Sequence, residues 1–395
     1  MFLPITLQST GAQRLAWEYL TAGDVRSVSV SDEQTHTYIC SGGQGGVYFL
    51  YNEITRAKEL WKYKTLDEVY SVSMSSDGAY VAAGGKDQIV YVFDKEFTSQ
   101  EYLWQYTTDG VVNSVSMSSD GSVFAAGGAD MKLYLFDTPS GDLLWNFATE
   151  AQIRTVATSG DGNFVSTGND LGVIYFFDAS YSGSQYLWRF ETGSPILLVS
   201  MSYNGSIVAG GDQEGYIYVA DKDFSKNSYL WRYKTGGELR SVAVSSDGNY
   251  IAAGNDDGWV YYFDRDLTDK KPLWKFDVGE TVLSVDISGD GSYVAVGGES
   301  GGIFLFDKRL SDKSYLWKNQ AEKEVKSVSI SQNAQYVGSG GLDGKVRLFR
   351  NAFIKFHGTL SVETETKIAT EPTTRTETRT CLLYTSPSPR DRTRS

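Results

Sequence analysis

Histidine and cysteine are nearly missing from this 395-residue chain, which has two of each: His36 and His357, Cys40 and Cys381. Two isolated cysteines exclude a disulfide framework and a cysteine-rich metal site. No Cys or His set has zinc spacing, and neither histidine is placed to pair with a nucleophile. No run of about 18 apolar residues occurs, so no segment reads as a membrane-spanning helix. Helical periodicity of useful length is also lacking, and with it any glycine-rich loop opening a helix to hold phosphate. The acidic clusters Asn255-Asp256-Asp257 and Asp264-Arg265-Asp266 lack the alternating ligands and terminal glutamate of a calcium loop. They read as solvated turns. Proline is scarce, at seven residues.

Basic residues are outnumbered. The formal net charge is −13, and residues 1–351 carry 29 basic against 44 acidic side chains, a net of −15. Such a surface is a poor partner for nucleic-acid phosphate or an anionic membrane.

What the chain has in quantity is repetition. Eight tryptophans, Trp17, Trp61, Trp104, Trp145, Trp188, Trp231, Trp274 and Trp317, stand 44, 43, 41, 43, 43, 43 and 43 residues apart. A fixed period in this range marks a repeat architecture. Within residues 231–274 and just before them, four short runs rich in Val, Ile, Tyr, Phe and Trp read as strands. They are Leu230-Trp231-Arg232-Tyr233, Leu239 to Ser245, Tyr250 to Ala253, and Trp259 to Phe263. Asp247-Gly248 separates the second from the third, and the turn recurs as Asp77-Gly78, Asp120-Gly121, Asp161-Gly162, Asn204-Gly205 and Asp290-Gly291. Gly with Asp or Asn tolerates the positive φ of such turns. The first and eighth repeats lack it.

Four antiparallel strands per repeat bury both faces only when stacked radially, which predicts a β-propeller. The fold class expected is all-β: one eight-bladed propeller spanning 15–351. LAWEYL at 15–20 matches the outermost-strand run, whereas the last repeat has no such run after residue 349. The N-terminal strand should therefore complete the last blade and remove the open edge. Small runs such as Ala82-Ala83-Gly84-Gly85 are expected where blades converge, and tryptophan where they diverge.

The segment SVAVSSDGNYIAAGNDDGWVYYFD and its siblings resemble WD-repeat propellers, with Phe-Asp standing for the family's Trp-Asp. LYLFDTPSGDLLWNF at 133–147 is similar to the repeats of quinoprotein dehydrogenase propellers. The resemblance covers about 85% of the chain. It departs from the WD pattern in lacking the Gly-His pair before the innermost strand. Phe-Asp also gives way to Tyr51-Asn52, Ala220-Asp221 and Phe349-Arg350. The quinoprotein resemblance would imply a quinone and calcium in the axial channel, with an adjacent cysteine pair. This chain has no such pair, so no cofactor is expected.

The flanks read separately. Residues 1–14 read as an N-terminal arm, the alternative being a signal-peptide remnant. Residues 352–380, rich in Thr and Glu, read as a linker or the start of a further domain. CLLYTSPSPRD at 381–391 resembles the translated read-through of a sequencing-library adapter, which makes 381–395 a non-native tail.

Positions that differ among otherwise matching repeats are free to serve a partner. The clearest precedes the Ser-Val pair of the innermost strand: Arg26, Tyr70, Asn113, Arg154, Leu197, Arg240, Leu283 and Lys326. In the family's strand order these ring one mouth of the channel. Asp24, Glu238 and Glu324 lie two residues before Arg26, Arg240 and Lys326 and could neutralise them. Arg154 has no such neighbour and is the foremost candidate. A second variable position opens the fourth run: Val47, Ile89, Lys132, Val173, Tyr216, Trp259, Gly302 and Lys345. Here Trp259 stands out as a possible contact beside Arg240.

The expectation is a non-catalytic, monomeric scaffold binding a protein or peptide through one face, without nucleic acid. Its partner-binding candidates are Arg26, Tyr70, Asn113, Arg154, Arg240, Trp259 and Lys326. The alternatives are a surface display or glycan-binding module, and a divergent quinone-dependent enzyme.

Overall fold

The structure is a computed structural model and describes residues 15–31, 36–53, 56–96, 102–180, 185–223, 229–266, 271–309 and 314–351. The N-terminal arm, the segment 352–380, the tail 381–395, His357 and Cys381 lie outside the described residues. The described residues form 32 strands in eight four-stranded antiparallel sheets. One blade runs inner strand Leu239–Val244, second strand Tyr250–Asn255, third strand Trp259–Asp264, outer strand Trp274–Asp277. Each inner strand lies against the next, and the last, Val325–Ile330, returns to the first, Val25–Val30. The eight blades therefore close a ring.

Closure uses the chain's two ends. Leu15–Leu20 pairs antiparallel with Lys345–Arg350, with Trp17 opposite Leu348. It supplies the outer strand of the blade otherwise built from 325–350. An open edge at that blade would leave a row of backbone donors and acceptors unpaired.

The small residues of the second strand face the neighbouring blade rather than the axis. A Cβ at Gly84 would come within 2.5 Å of Val112 Cγ1, and one at Gly127 within 2.6 Å of Ile153 Cγ2. Gly42, Gly168, Gly254, Gly297 and Gly340 meet the following inner strand in the same way. At the periphery the gap between blades is wider and aromatic rings fill it. Six of the eight outer-strand tryptophans pack on the phenylalanine at the Phe-Asp place of the next blade: Trp61 on Phe93, Trp104 on Phe136, Trp145 on Phe177, Trp231 on Phe263, Trp274 on Phe306 and Trp317 on Phe349. Centroid separations are 5.0–5.6 Å, within the range of favourable aromatic pairs. Where the partner is Ala220, Trp188 stacks on Phe176 of its own blade, at 4.9 Å.

Two details differ from the sequence reading. In the first blade Ile39 pairs with Leu50, as Val81 pairs with Phe93 in the second. Leu50-Tyr51, not Tyr51-Asn52, therefore takes the Phe-Asp place, and Gly46 rather than Val47 opens that third strand. The cause is a shorter turn, with Gly43 paired directly to Gly46. The eighth blade does form the repeated turn despite lacking Asp-Gly. Ser331 Oγ bonds Asn333 Oδ1, as Ser75 Oγ bonds Asp77 Oδ1. Ala334 there takes φ of 58°, where Gly78 has 69°.

Gly127→Ala should lower stability by about 1–3 kcal/mol through overpacking, read from the midpoint of urea unfolding. Gly211→Ala, where the nearest atom would be Leu239 Cδ1 at 3.1 Å, should cost less. Equal losses would mean that the second-strand glycines do not set how closely blades approach.

Candidate functional site

Every inner strand begins with a β-bulge. The register shifts between Val25 and Ser27, Val69 and Ser71, Val112 and Ser114, Ile153 and Thr155, Ile196 and Leu198, Leu239 and Ser241, Val282 and Ser284, and Val325 and Ser327. The extra residue in each case is the variable one: Arg26, Tyr70, Asn113, Arg154, Leu197, Arg240, Leu283 or Lys326. A bulge leaves its residue outside the ladder and re-aims its side chain. All eight therefore stand at one mouth of the ring, outside the pairing that holds the blades.

The next residue has the opposite role. Ser27, Ser71, Ser114, Thr155, Ser241, Ser284 and Ser327 each accept a hydrogen bond from a backbone N–H of the following inner strand, at 2.9–3.2 Å. These hydroxyls form a girdle joining blade to blade. Leu198 is the one member of this column without a hydroxyl, and at this break the mouth opens into a cleft of about 650 Å³. Leu197, Leu198 and Pro195 supply apolar lining, flanked by Arg154 with Asp170 on one side and Arg240 with Glu238 on the other.

The structure thus brings Arg154 and Arg240 to one cleft. Arg154 has a carboxylate partner that spacing within its own strand does not show. Its Nε donates to Asp170 Oδ1 at 2.5 Å and its Nη2 to Oδ2 at 3.2 Å. Arg26 pairs not with Asp24 but with Glu68 of the next blade, at 2.7 Å. Arg240 and Lys326 do pair locally, with Glu238 and Glu324. The four basic side chains therefore make a rim of paired charges rather than a positive ring. Exposed pairs of this kind contribute only about 0–1 kcal/mol, so their exchange for a ligand's charges costs little. Asn113 is engaged structurally, its Nδ2 donating to Ile153 O at 2.7 Å. Tyr70 stands half-buried at the same mouth. Trp259 lies at the same end of its blade, with the Lys275 ammonium 4.3 Å from its ring centroid. It packs partly on the blade core and does not line the cleft.

The described residues include one histidine and one cysteine. His36 stacks among Tyr38 and Tyr51. Cys40 is buried, and burial pushes its thiol up to about 12. Among the described residues no group of three or more His, Cys, Asp or Glu is placed to hold a metal ion.

Comparison with known proteins fits this geometry. The WD domain, G-beta repeat family model matches residues 60–94, 270–307 and 315–350. The chain carries WD40 repeats. Residues 86–249 match the PQQ_2 model, described as outer membrane protein assembly factor BamB. Inside that stretch Gly141, at φ of 77°, lies under Trp104 of the preceding blade, where a Cβ would fall 2.7 Å from the indole. The crystal structure of Saccharomyces cerevisiae Sqt1 superposes with a TM-score of 0.72 at 14% identity, over 85% of this chain and 98% of that one. At that identity the likeness speaks for the fold. No curated protein matches.

Ser284→Ala removes the acceptor of Val328 N–H and should cost about 1–3 kcal/mol. Leu283→Ala, one residue earlier at the bulge, should cost less than about 1 kcal/mol. Matched chemical unfolding of the two variants checks the order. The reverse order would mean that the bulge tier, not the girdle, ties the blades together.

Proposed function

We propose that this WD-type propeller is a non-catalytic scaffold that binds a protein or peptide partner through its bulge-bearing mouth. The observation that carries the reading is a coincidence of positions. A residue that varies among otherwise matching repeats is the one the bulge removes from the ladder in all eight blades. Where the girdle beneath is broken, at Leu198, a cleft of mixed lining, leucine and proline among charged side chains, opens between Arg154 and Arg240. A volume of about 650 Å³ suits one or two side chains of a polypeptide. Arginine, which stands on both sides of the cleft, is among the residue types in which binding energy concentrates. The non-catalytic part of the reading is supported by how the wall hydroxyls are used. They accept backbone N–H groups of the next blade instead of standing beside a base. WD propellers as a class serve as interaction platforms, which agrees.

The test is recovery of partners from native lysate by the full chain and by a variant carrying Arg154→Ala, Arg240→Ala and Trp259→Ala, after both are shown to melt alike. A partner retained by the parent and reduced roughly tenfold or more in the variant is the expected result. Equal recovery by the two proteins would overturn the assignment of this mouth.

A further inference from the structure

Below the girdle the next alternate position of each inner strand forms a second tier: Ser29, Ser73, Ser116, Ser200, Asp286 and Ser329, which are partly exposed along the axis, and Ala157 and Ala243, which are buried between blades. Four of the serines accept a backbone N–H from the next inner strand, as in the tier above. Asp286 is the one charged residue among the sixteen positions of the two tiers. Its Oδ2 accepts Ile330 N–H at 2.8 Å, the same bond a serine makes elsewhere. Its Oδ1 accepts its neighbour Ile287 N–H at 2.8 Å, a donor to which Ala243 offers no hydroxyl.

The blades do not need a carboxylate for this. Ala157 offers no hydroxyl to the following strand either, yet the residue there is Ser200, not an acid. A serine at 286 would also serve Ile330. The ionised carboxylate has a cost besides. Burial pushes Asp286 up to about 6, against the hydrogen bonds from Ile330, Ile287 and Ser329 that oppose it. A carboxyl raised in the folded state stabilises fully below its unfolded pKa of about 4, and that contribution is lost as pH rises through about 6. At neutral pH the group works against folding. No other titratable side chain shares the tier to explain it. The flanking inner strands present Ala243 and Ser329, and Asp286 pairs with Ala295 on its own sheet. Arg240 and Lys326, with Glu238 and Glu324, lie at the bulge end of those strands.

We propose that Asp286 is a receptor for a guanidinium or alkylammonium side chain of a peptide that enters the axial channel. The carboxylate supplies the charge and accepts the cation's N–H groups beside the backbone donors it already holds. A single carboxylate among hydroxyls suits a monovalent organic cation better than a divalent metal, which takes several oxygen or nitrogen ligands. The net negative charge of residues 1–351 draws cations toward the opening. This site is distinct from the cleft at Leu198.

The experiment titrates the full chain with the peptide Ac-Gly-Arg-Gly-NH2, with Ac-Gly-Leu-Gly-NH2 as control, by calorimetry at about pH 7.5 and about pH 5. Asp286→Ser and Asp286→Asn are compared with the parent and with an Arg154→Ala, Arg240→Ala variant. The arginine peptide should bind the parent saturably, weaken as pH falls through about 6, and weaken at least roughly tenfold in both Asp286 variants. The cleft variant should bind it as the parent does. Both Asp286 variants should melt at or above the parent at neutral pH, with the difference shrinking at about pH 5. Absence of saturable binding to the parent at millimolar peptide, or equal affinity in Asp286→Ser, would overturn the proposal. Loss of binding only in the cleft variant would overturn it too, while leaving the mouth as the recognition surface.

Discussion

The ring depends on how closely one blade's second strand admits the next blade's inner strand. Glycine at Gly42, Gly84, Gly127, Gly168, Gly254, Gly297 and Gly340 lets valine or isoleucine seat against bare backbone. Near the axis there is no room for a Cβ; at the rim there is room for an indole against a phenyl ring. Small residues inside and Trp–Phe pairs outside therefore define a wedge, and eight wedges close on themselves. The N-terminal strand then locks the last wedge to the first half of the chain. Once this packing is satisfied, the inner strands are brought side by side with no freedom left to drift.

That fixed ring separates positions by duty. Side chains directed between blades are apolar and buried. Those of the two channel tiers are mostly hydroxyls, spent on tying each inner strand to the next. Most bulge residues are released from both tasks, Asn113 with its bond to the next inner strand being an exception. The two proposed sites lie where a structural duty lapses. Leu198 interrupts the girdle and a cleft appears; Asp286 replaces a serine and a charge appears within the channel wall.

Much of this was legible in the sequence. The tryptophan period, the Asp-Gly turns and the offset between LAWEYL and the last repeat lead to eight blades and their closure. Aligning repeats also isolates the bulge position, because the neighbouring Ser-Val pair is constrained and the residue before it is not. Pairing of the rim charges was less accessible. Arg154 meets Asp170 across its own hairpin, and Arg26 meets Glu68 of the next blade, so a search two residues back along the strand finds neither. The first blade's register slipped because a turn shortened by one residue looks in sequence like a substitution at Phe-Asp. Leu198 and Asp286 were visible as the odd members of their serine columns. Their meaning needed the hydrogen bonds that the other members make, which no column of letters displays. The Asn333-Ala334 turn shows the converse: the fold imposed left-handed backbone on an alanine that the turn's usual residues would not predict.

The account's central claim is that recognition occurs at the bulge-bearing mouth and not at the opposite face, where the Ser-x-Asp-Gly turns meet. Photo-crosslinking in native lysate tests it most directly, with a benzophenone amino acid placed singly at Tyr70, Leu197 and Leu283 on one face and at Ser119 and Ser246 on the other. The account predicts a shared adduct from the first three positions and none from the last two. Adducts only from Ser119 and Ser246, or equally from both faces, would contradict it.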